Sequence, residues 1–221
     1  MLLSTIRQSL NSHLHYPDMK TARLAAAALA VLLAACSSAP KNETSAASSK
    51  PAKPALQTLT GRAALQKMMI PAHLWAPDIQ PISIESSPSS ESDGTDGKSA
   101  EWRSVWGSAT KRSAKNFSWS GSATGDAITR GITPGGEDTW SSSNTSMTAF
   151  NIGFLKSDTE DALAAAKAKL TAKDAKKPVK YALAFDSHKS QLLWRVTFGE
   201  GGNDKTIDVD ATTGKYERTE H

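Results

Sequence analysis

Cysteine is nearly missing from this chain: Cys36 is the only one in 221 residues. A single thiol cannot close an internal disulfide or build a thiolate metal site. Histidine is scarce too. Beyond residue 35 only His73, His188 and His221 remain, none with a partner at metal-ligand spacing. No G-x-S-x-G nucleophile motif occurs. No apolar run reaches the about 20 residues that a membrane-spanning helix needs; the longest, Leu24–Ala35, has twelve. Charge is nearly balanced as well. The net charge is +4, and residues 1–35 carry Arg7, Lys20, Arg23 and Asp18, so the remainder stands at +2. The pI of 9.1 is therefore no argument for nucleic acid. These absences lead to an expectation of no catalytic residue, no metal, no cofactor and no nucleic-acid partner.

What is present begins at Met19. A short basic start, Lys20 and Arg23, leads into Leu24–Ala35 and then Cys36. A basic region, a 7–15-residue apolar core and small residues at its end describe an export signal. Residues 1–18 precede a signal that is complete from its own methionine, so they read as a mis-assigned start or an extended basic region. The run Leu33-Ala34-Ala35-Cys36 resembles the lipobox of bacterial lipoproteins. That resemblance implies diacylglyceryl transfer to the Cys36 thiol, with palmitate-type acyl chains. It also implies cleavage before Cys36 by the lipoprotein signal peptidase, which would recognise Leu33, Ala34 and Ala35. Ser37, rather than Asp, after the cysteine favours the outer membrane, facing the periplasm. The membrane is then a partner through the anchor, which lies on it without spanning it.

Residues 36–56, CSSAPKNETSAASSKPAKPAL, contain no aromatic residue. Such a segment buries too little to fold. It is expected to act as a tether with an r.m.s. reach of roughly 25 Å. The 165 residues that follow are enough for one sizeable domain or two small ones. Six tryptophans, at positions 75, 102, 106, 119, 140 and 194, are the expected heart of the core.

Periodicity then places the elements. Thr60–Trp75 reads as a helix capped by Thr60, with Leu65, Met68 and Ala72 on one face and Pro71 kinking or splitting it. Ile82–Ile84, Glu101–Gly107 and Asn116–Gly121 alternate as strands. Ser86–Ala100 reads as an exposed loop, and Ser122–Ser146 as a connector with at most one short strand. Met147–Leu155 is the most strand-like run. Asp158–Leu170 is the clearest helix, with a capping box over Ser157 and Glu160. Val179–Phe185, Gln191–Phe198 and Thr206–Asp210 follow as short strands.

The two halves can be laid on each other. Thr60 falls on Asp158, Leu65 on Leu163, and Trp102-Arg103-Ser104-Val105-Trp106-Gly107 on Trp194-Arg195-Val196-Thr197-Phe198-Gly199. Phe117-Ser118-Trp119 falls on Ile207-Asp208-Val209. The repeat positions Trp102, Trp106, Trp194 and Phe198 are expected to be structural. The second half resembles a PepSY domain through its Asp158–Leu170 helix, the strand Leu193-Trp194-Arg195-Val196 and the ending Ile207-Asp208-Val209-Asp210-Ala211-Thr212-Thr213-Gly214. The resemblance implies a module that binds or inhibits proteins without catalysis of its own. The expected fold is α+β: two tandem PepSY-like units, 57–125 and 147–221, joined by a connector at 126–146. Each would pack one helix on a three- to four-stranded antiparallel sheet.

Three further features of the sequence bear on function. Alternation turns Asp208 and Asp210 to solvent while Ile207 and Val209 face the core, and Asp210 opens the Ala-Thr-Thr-Gly turn. Arg103 and Arg195 point away from Trp102 and Trp194. Lys167, Lys169, Lys173, Lys176, Lys177 and Lys180 read as a solvated helix face, with anionic headgroups or wall polymers as the functional alternative. The expected function is a lipid-anchored envelope lipoprotein whose folded part is a non-catalytic protein-binding or inhibitory module for an unknown envelope protein. The alternatives are a binder of envelope polysaccharide, peptidoglycan or lipid, and, behind both, an enzyme of unrecognised type.

Overall fold

Thr60 starts the first helix: its hydroxyl accepts the Ala63 amide at 3.4 Å, so one of the unpaired first-turn donors is satisfied. In the computed structural model, which describes residues 55–122, 130–202 and 204–220, α1 runs Gly61–Trp75 without a break. Pro71 does not split it. Ala64, Leu65, Met68 and Ala72 form its buried stripe. Four strands follow: β1 (Ile79–Ser86), β2 (Glu101–Ser108), β3 (Ser113–Ser120) and β4 (Gly131–Thr139). Then α2 (Thr159–Lys167) leads into β5 (Val179–Asp186), β6 (Gln191–Phe198), β7 (Lys205–Asp210) and β8 (Tyr216–Glu220).

The strands form one antiparallel sheet of eight, in the order β4-β3-β2-β1-β5-β6-β7-β8. This overturns the expectation of two tandem helix-on-sheet units. β1 and β5 pair directly, with Ser83 opposite Ala184, Ile84 opposite Leu183 and Glu85 opposite Ala182. Two separate four-stranded sheets would each leave an open inner edge and a core too small to be stable alone. Joining β1 to β5 removes both edges. One core results, containing Leu65 and Met68 of α1, Leu163 of α2, and Trp102, Phe117, Tyr181, Trp194 and Val196 of the sheet. The W-R-x-x-W/F-G segments occupy mirror-related strands, β2 and β6, on either side of the β1–β5 seam.

The helices are locked at their starts. Asp158 Oδ1 accepts the amide of Thr159, its own first helical residue, at 2.8 Å and the amide of Arg62 in α1 at 2.9 Å. The capping box of α2 lies over Asp158 and Asp161, one residue beyond the Ser157–Glu160 pair expected. Thr159 Oγ1 accepts the Gly61 amide at 3.1 Å. Arg62 donates to the Leu155 carbonyl at 2.7 Å.

Two segments depart from the sequence reading. Residues 87–100 are no free loop. The Tyr181 hydroxyl donates to the Gly94 carbonyl at 2.6 Å, the Val179 amide to Asp93 at 2.7 Å, and Lys167 to the Thr95 carbonyl at 2.8 Å. Burial pushes the Tyr181 hydroxyl far up, so it stays a donor. Residues 147–155 form no strand. β1 pairs directly with β2 and β5, so no further strand lies between the two halves of the sheet. The segment ends instead in a single 3-10 turn, Ile152–Phe154, and the stretch before it crosses the outer sheet face. There Trp140, with Met147 and Ala149, covers Ile82, Val105 and Ala114. Gly107 makes room for the strap: a β-carbon there would lie 2.8 Å from the Trp140 ring.

Candidate functional site: a charged row on the outer sheet face

Both helices pack on one face of the sheet. On the other face, the strap over β1–β3 leaves β5–β8 uncovered. Cross-strand pairing sets one row there from edge to edge: Thr133, Ser118, Arg103, Glu85, Ala182, Arg195, Asp208 and Arg218. Each strand contributes one residue because side chains alternate between faces with period two. Trp102 and Trp194 are core residues and Arg103 and Arg195 are exposed, as the alternation predicted.

Asp208 corrects the expectation that it faces solvent. It is on the outer face, yet it is 0% exposed. Two arginines close over it: Arg195 Nε donates to Oδ1 at 3.3 Å, and Arg218 Nη2 lies 2.6 Å from Oδ2. Arg195 and Arg218 also reach Glu220 Oε1, at 3.2 and 2.8 Å. Burial raises the Asp208 carboxyl above the usual carboxylate range, and Arg195 pulls it back. Arg218 lies against the other oxygen, where its positive charge favours the carboxylate form. Sequence reading missed Arg218 and Glu220 because its last strand is Thr206–Asp210 and it places no strand beyond the Gly214 turn. Its available signal was the Gly214 turn followed by the β-tolerant run Tyr216–Glu220.

Beside this cluster lies an open cleft of about 340 Å³. Ala182, Ala184 and Leu193 form its floor, and Asp186, His188 and Arg195 its rim. His188 sits in the β5–β6 turn, as expected. Its amide and that of Lys189 donate to Asp186 Oδ1 at 3.0 and 3.2 Å. Asp210 opens its turn, accepting the amides of Thr212 and Thr213 at 2.7 Å each. Among the described residues no three His, Cys, Asp or Glu side chains cluster as metal ligands do.

The remaining sequence-selected residues fall into three groups. Cys36, Leu33, Ala34 and Ala35 lie outside the described residues. Trp102, Trp106, Trp194 and Phe198 are fully buried and structural. The lysine group is dispersed into separate contacts: Lys167 on Thr95, Lys169 over the Tyr216 ring, Lys177 on Asp174 and Lys180 on Glu85.

No protein-family model and no curated protein matches this sequence. Among solved structures, a protein provisionally described as a lipoprotein of Clostridium difficile 630 aligns with a TM-score of 0.48 at 8% identity. The match covers 71% of this chain and 91% of that one. Similarity at this level carries no argument about activity, and the PepSY resemblance has no family match behind it. Among the described residues no helix is long and apolar enough to cross a membrane.

Proposed function

We propose that this chain is a cell-envelope lipoprotein, anchored through Cys36 to the outer membrane and facing the periplasm. Its folded unit is a non-catalytic module that binds an envelope protein through the outer face of β5–β8. The observation that carries this reading is the Arg195–Asp208–Arg218 row beside an apolar-floored cleft. Charge flanking an apolar centre suits protein recognition, where polar rims orient the partner and the desolvated centre supplies affinity. The lipobox-like Leu33–Cys36 supports the anchor.

The polysaccharide or peptidoglycan alternative draws less support. It leaned on tryptophans and lysines, but five of the six tryptophans are buried, and four of the lysines hold partners within the fold.

The test uses a photo-crosslinking residue at Ala184 in the full chain in cells, with Glu160 on α2 as the control position. Discrete protein adducts from 184 that Arg195→Glu removes support the reading. Equal adducts from both positions, or none, overturn it. Co-sedimentation with wall sacculi at moderate salt would favour the alternative.

A further inference from the structure

The outward stripe of α1 differs from that of α2. It runs Ala63, Lys67, Ile70 and Leu74, spaced for one helix face, and α1 contains no acidic residue. Ile70 is 67% exposed and Leu74 86%. Exposed large apolar side chains number six among the described residues, and Leu56, Ile70, Leu74 and Ile132 are four of them. Ile70, Pro71 and Ile132 line one shallow depression with Gln57, Lys67 and Arg130. Glu137, the carboxylate that reaches the end of α1, is taken up by the Trp75 indole at 3.0 Å, the Ser113 hydroxyl at 2.8 Å and Lys115 at 3.9 Å. The patch is thus apolar with a basic border.

Its position says what covers it. Arg130 donates to the Ala55 carbonyl at 3.0 Å, and Gln57 lines the depression itself. The chain therefore joins the folded unit at this patch. Eighteen residues, 37–54, separate Ala55 from Cys36, and even fully extended this stretch spans no more than about 68 Å.

We propose that the Lys67–Ile70–Leu74 stripe of α1 docks on the bilayer that holds the anchor, with its apolar side chains at the headgroup boundary. The inference rests on the Cys36 anchor proposed above and adds an orientation to it. Ile70 and Leu74 enter the interface as apolar residues of surface-lying helices do. Lys67 and Arg130 meet anionic phosphates, with their stems alongside. Because the helices and the charged row lie on opposite faces of the sheet, docking through α1 turns the β5–β8 face away from the membrane, toward soluble partners.

The test places a nitroxide at Leu74→Cys or, as control, Ala184→Cys in the full lipidated chain. With Cys36 acylated, the label has no other thiol to take. The chain is reconstituted in phosphatidylethanolamine–phosphatidylglycerol vesicles, and collision with a water-soluble nickel chelate is measured. The expected result is a severalfold fall in collision at 74, none at 184, and a return to open values in a Lys67→Glu/Ile70→Ser background. Leu74 and Ile70 are exposed, so these changes leave the fold intact. Equal collision at both sites overturns the proposal. So does protection at 74 that grows with protein concentration in the absence of vesicles, which would assign the patch to a second copy. Mass analysis of Cys36 reads the anchor separately. A lipid-free Cys36 removes the anchor and this inference together, whereas a lipidated Cys36 with an open residue 74 removes this inference alone.

Discussion

Gly61 lies flat against the Trp194 indole. It is the first residue of α1, and Trp194 is in β6, 133 positions later. A β-carbon on Gly61 would run into the ring at Cη2 and Cζ2. The ring cannot swing aside: Trp194 is 0% exposed and its Nε1 donates to the Ser157 carbonyl at 3.0 Å. This contact fastens the first helix to the far half of the sheet.

Gly61→Ala is expected to destabilise the protein even though alanine is the better helix former. Overpacking a closed core costs about 1–3 kcal/mol, against a helix-propensity gain of at most about 1 kcal/mol. Thermal denaturation reads the result. A melting temperature equal to or above that of the parent chain would show that the helix moves off Trp194 without cost.

Asp158→Ala removes one acceptor from two helices. Loss of a single N-cap costs about 0.5–2 kcal/mol, and here the Arg62 amide loses its partner as well. The expected loss lies at the upper end of that range. Asp161→Ala removes only the reciprocal bond to the Asp158 amide, 3.2 Å long, and should cost less. Urea denaturation of the two variants gives the order directly.

Tyr181→Phe removes one of two donors from the buried Gly94 carbonyl, which keeps the Gly97 amide at 3.1 Å. Loss of one such hydrogen bond costs about 0.5–1.5 kcal/mol. The effect should be local as well as global: amides of residues 93–97 should exchange faster with deuterium, while those of β2 and β6 stay protected. Unchanged exchange at 93–97 would mean that Lys167 and Val179 hold the loop unaided.

Asp208→Ala leaves Arg195 and Arg218 facing each other. Breaking an enclosed pair costs about 3–5 kcal/mol; here the cost should fall below that, because Arg195 is half-exposed and solvent screens it. Replacing all three by Met, Leu and Met should recover much of the stability, since apolar triads often match ionic ones. The same triple variant should lose adduct formation at position 184 if the row recognises the partner. Stability and capture thus separate structural from recognition roles.

Asp78 ties the start of β1 to the β2–β3 turn. Its oxygens accept the Ser108 hydroxyl at 2.6 Å and the Thr110 amide at 2.8 Å. These bonds, Ser108 first, hold its pKa at about 2, below the 3.8 of an unperturbed aspartate. A lowered native pKa stabilises the fold above the unfolded value. That contribution should begin to fall near pH 4 and be gone once the pH drops through about 2. Asp78→Asn should remove this step from the acid limb of the stability profile. An identical limb in the variant would refute the assignment.

Much of the strand content was legible locally. The Trp102–Trp106 and Trp194–Phe198 segments alternate cleanly, and both became central strands with their arginines outward. Asp210 opened its turn and Thr60 its helix because these are bonds to neighbours in the chain. β4 and β8 were less legible. Gly131–Thr139 is exposed at nearly every position, so an edge strand of this kind carries no apolar pattern. The burial of Asp208 was hidden for a different reason. Its alternation read correctly as the outer face, but Arg218 had to come from β8 to cover it.

The sequence alone determined what depends on neighbouring residues: the lipobox-like order ending at Cys36, the two helix starts, the turn at Asp210 and the inward tryptophans. Tertiary structure alone decided that β1 pairs with β5, making one sheet and one core. It also decided that residues 140–150 cover half of the outer face, and that the exposed stripe of α1 lies where the chain from Cys36 joins the fold. Strand edges select partners by hydrogen bonding and by which apolar faces remain open, and neither is written in any one segment.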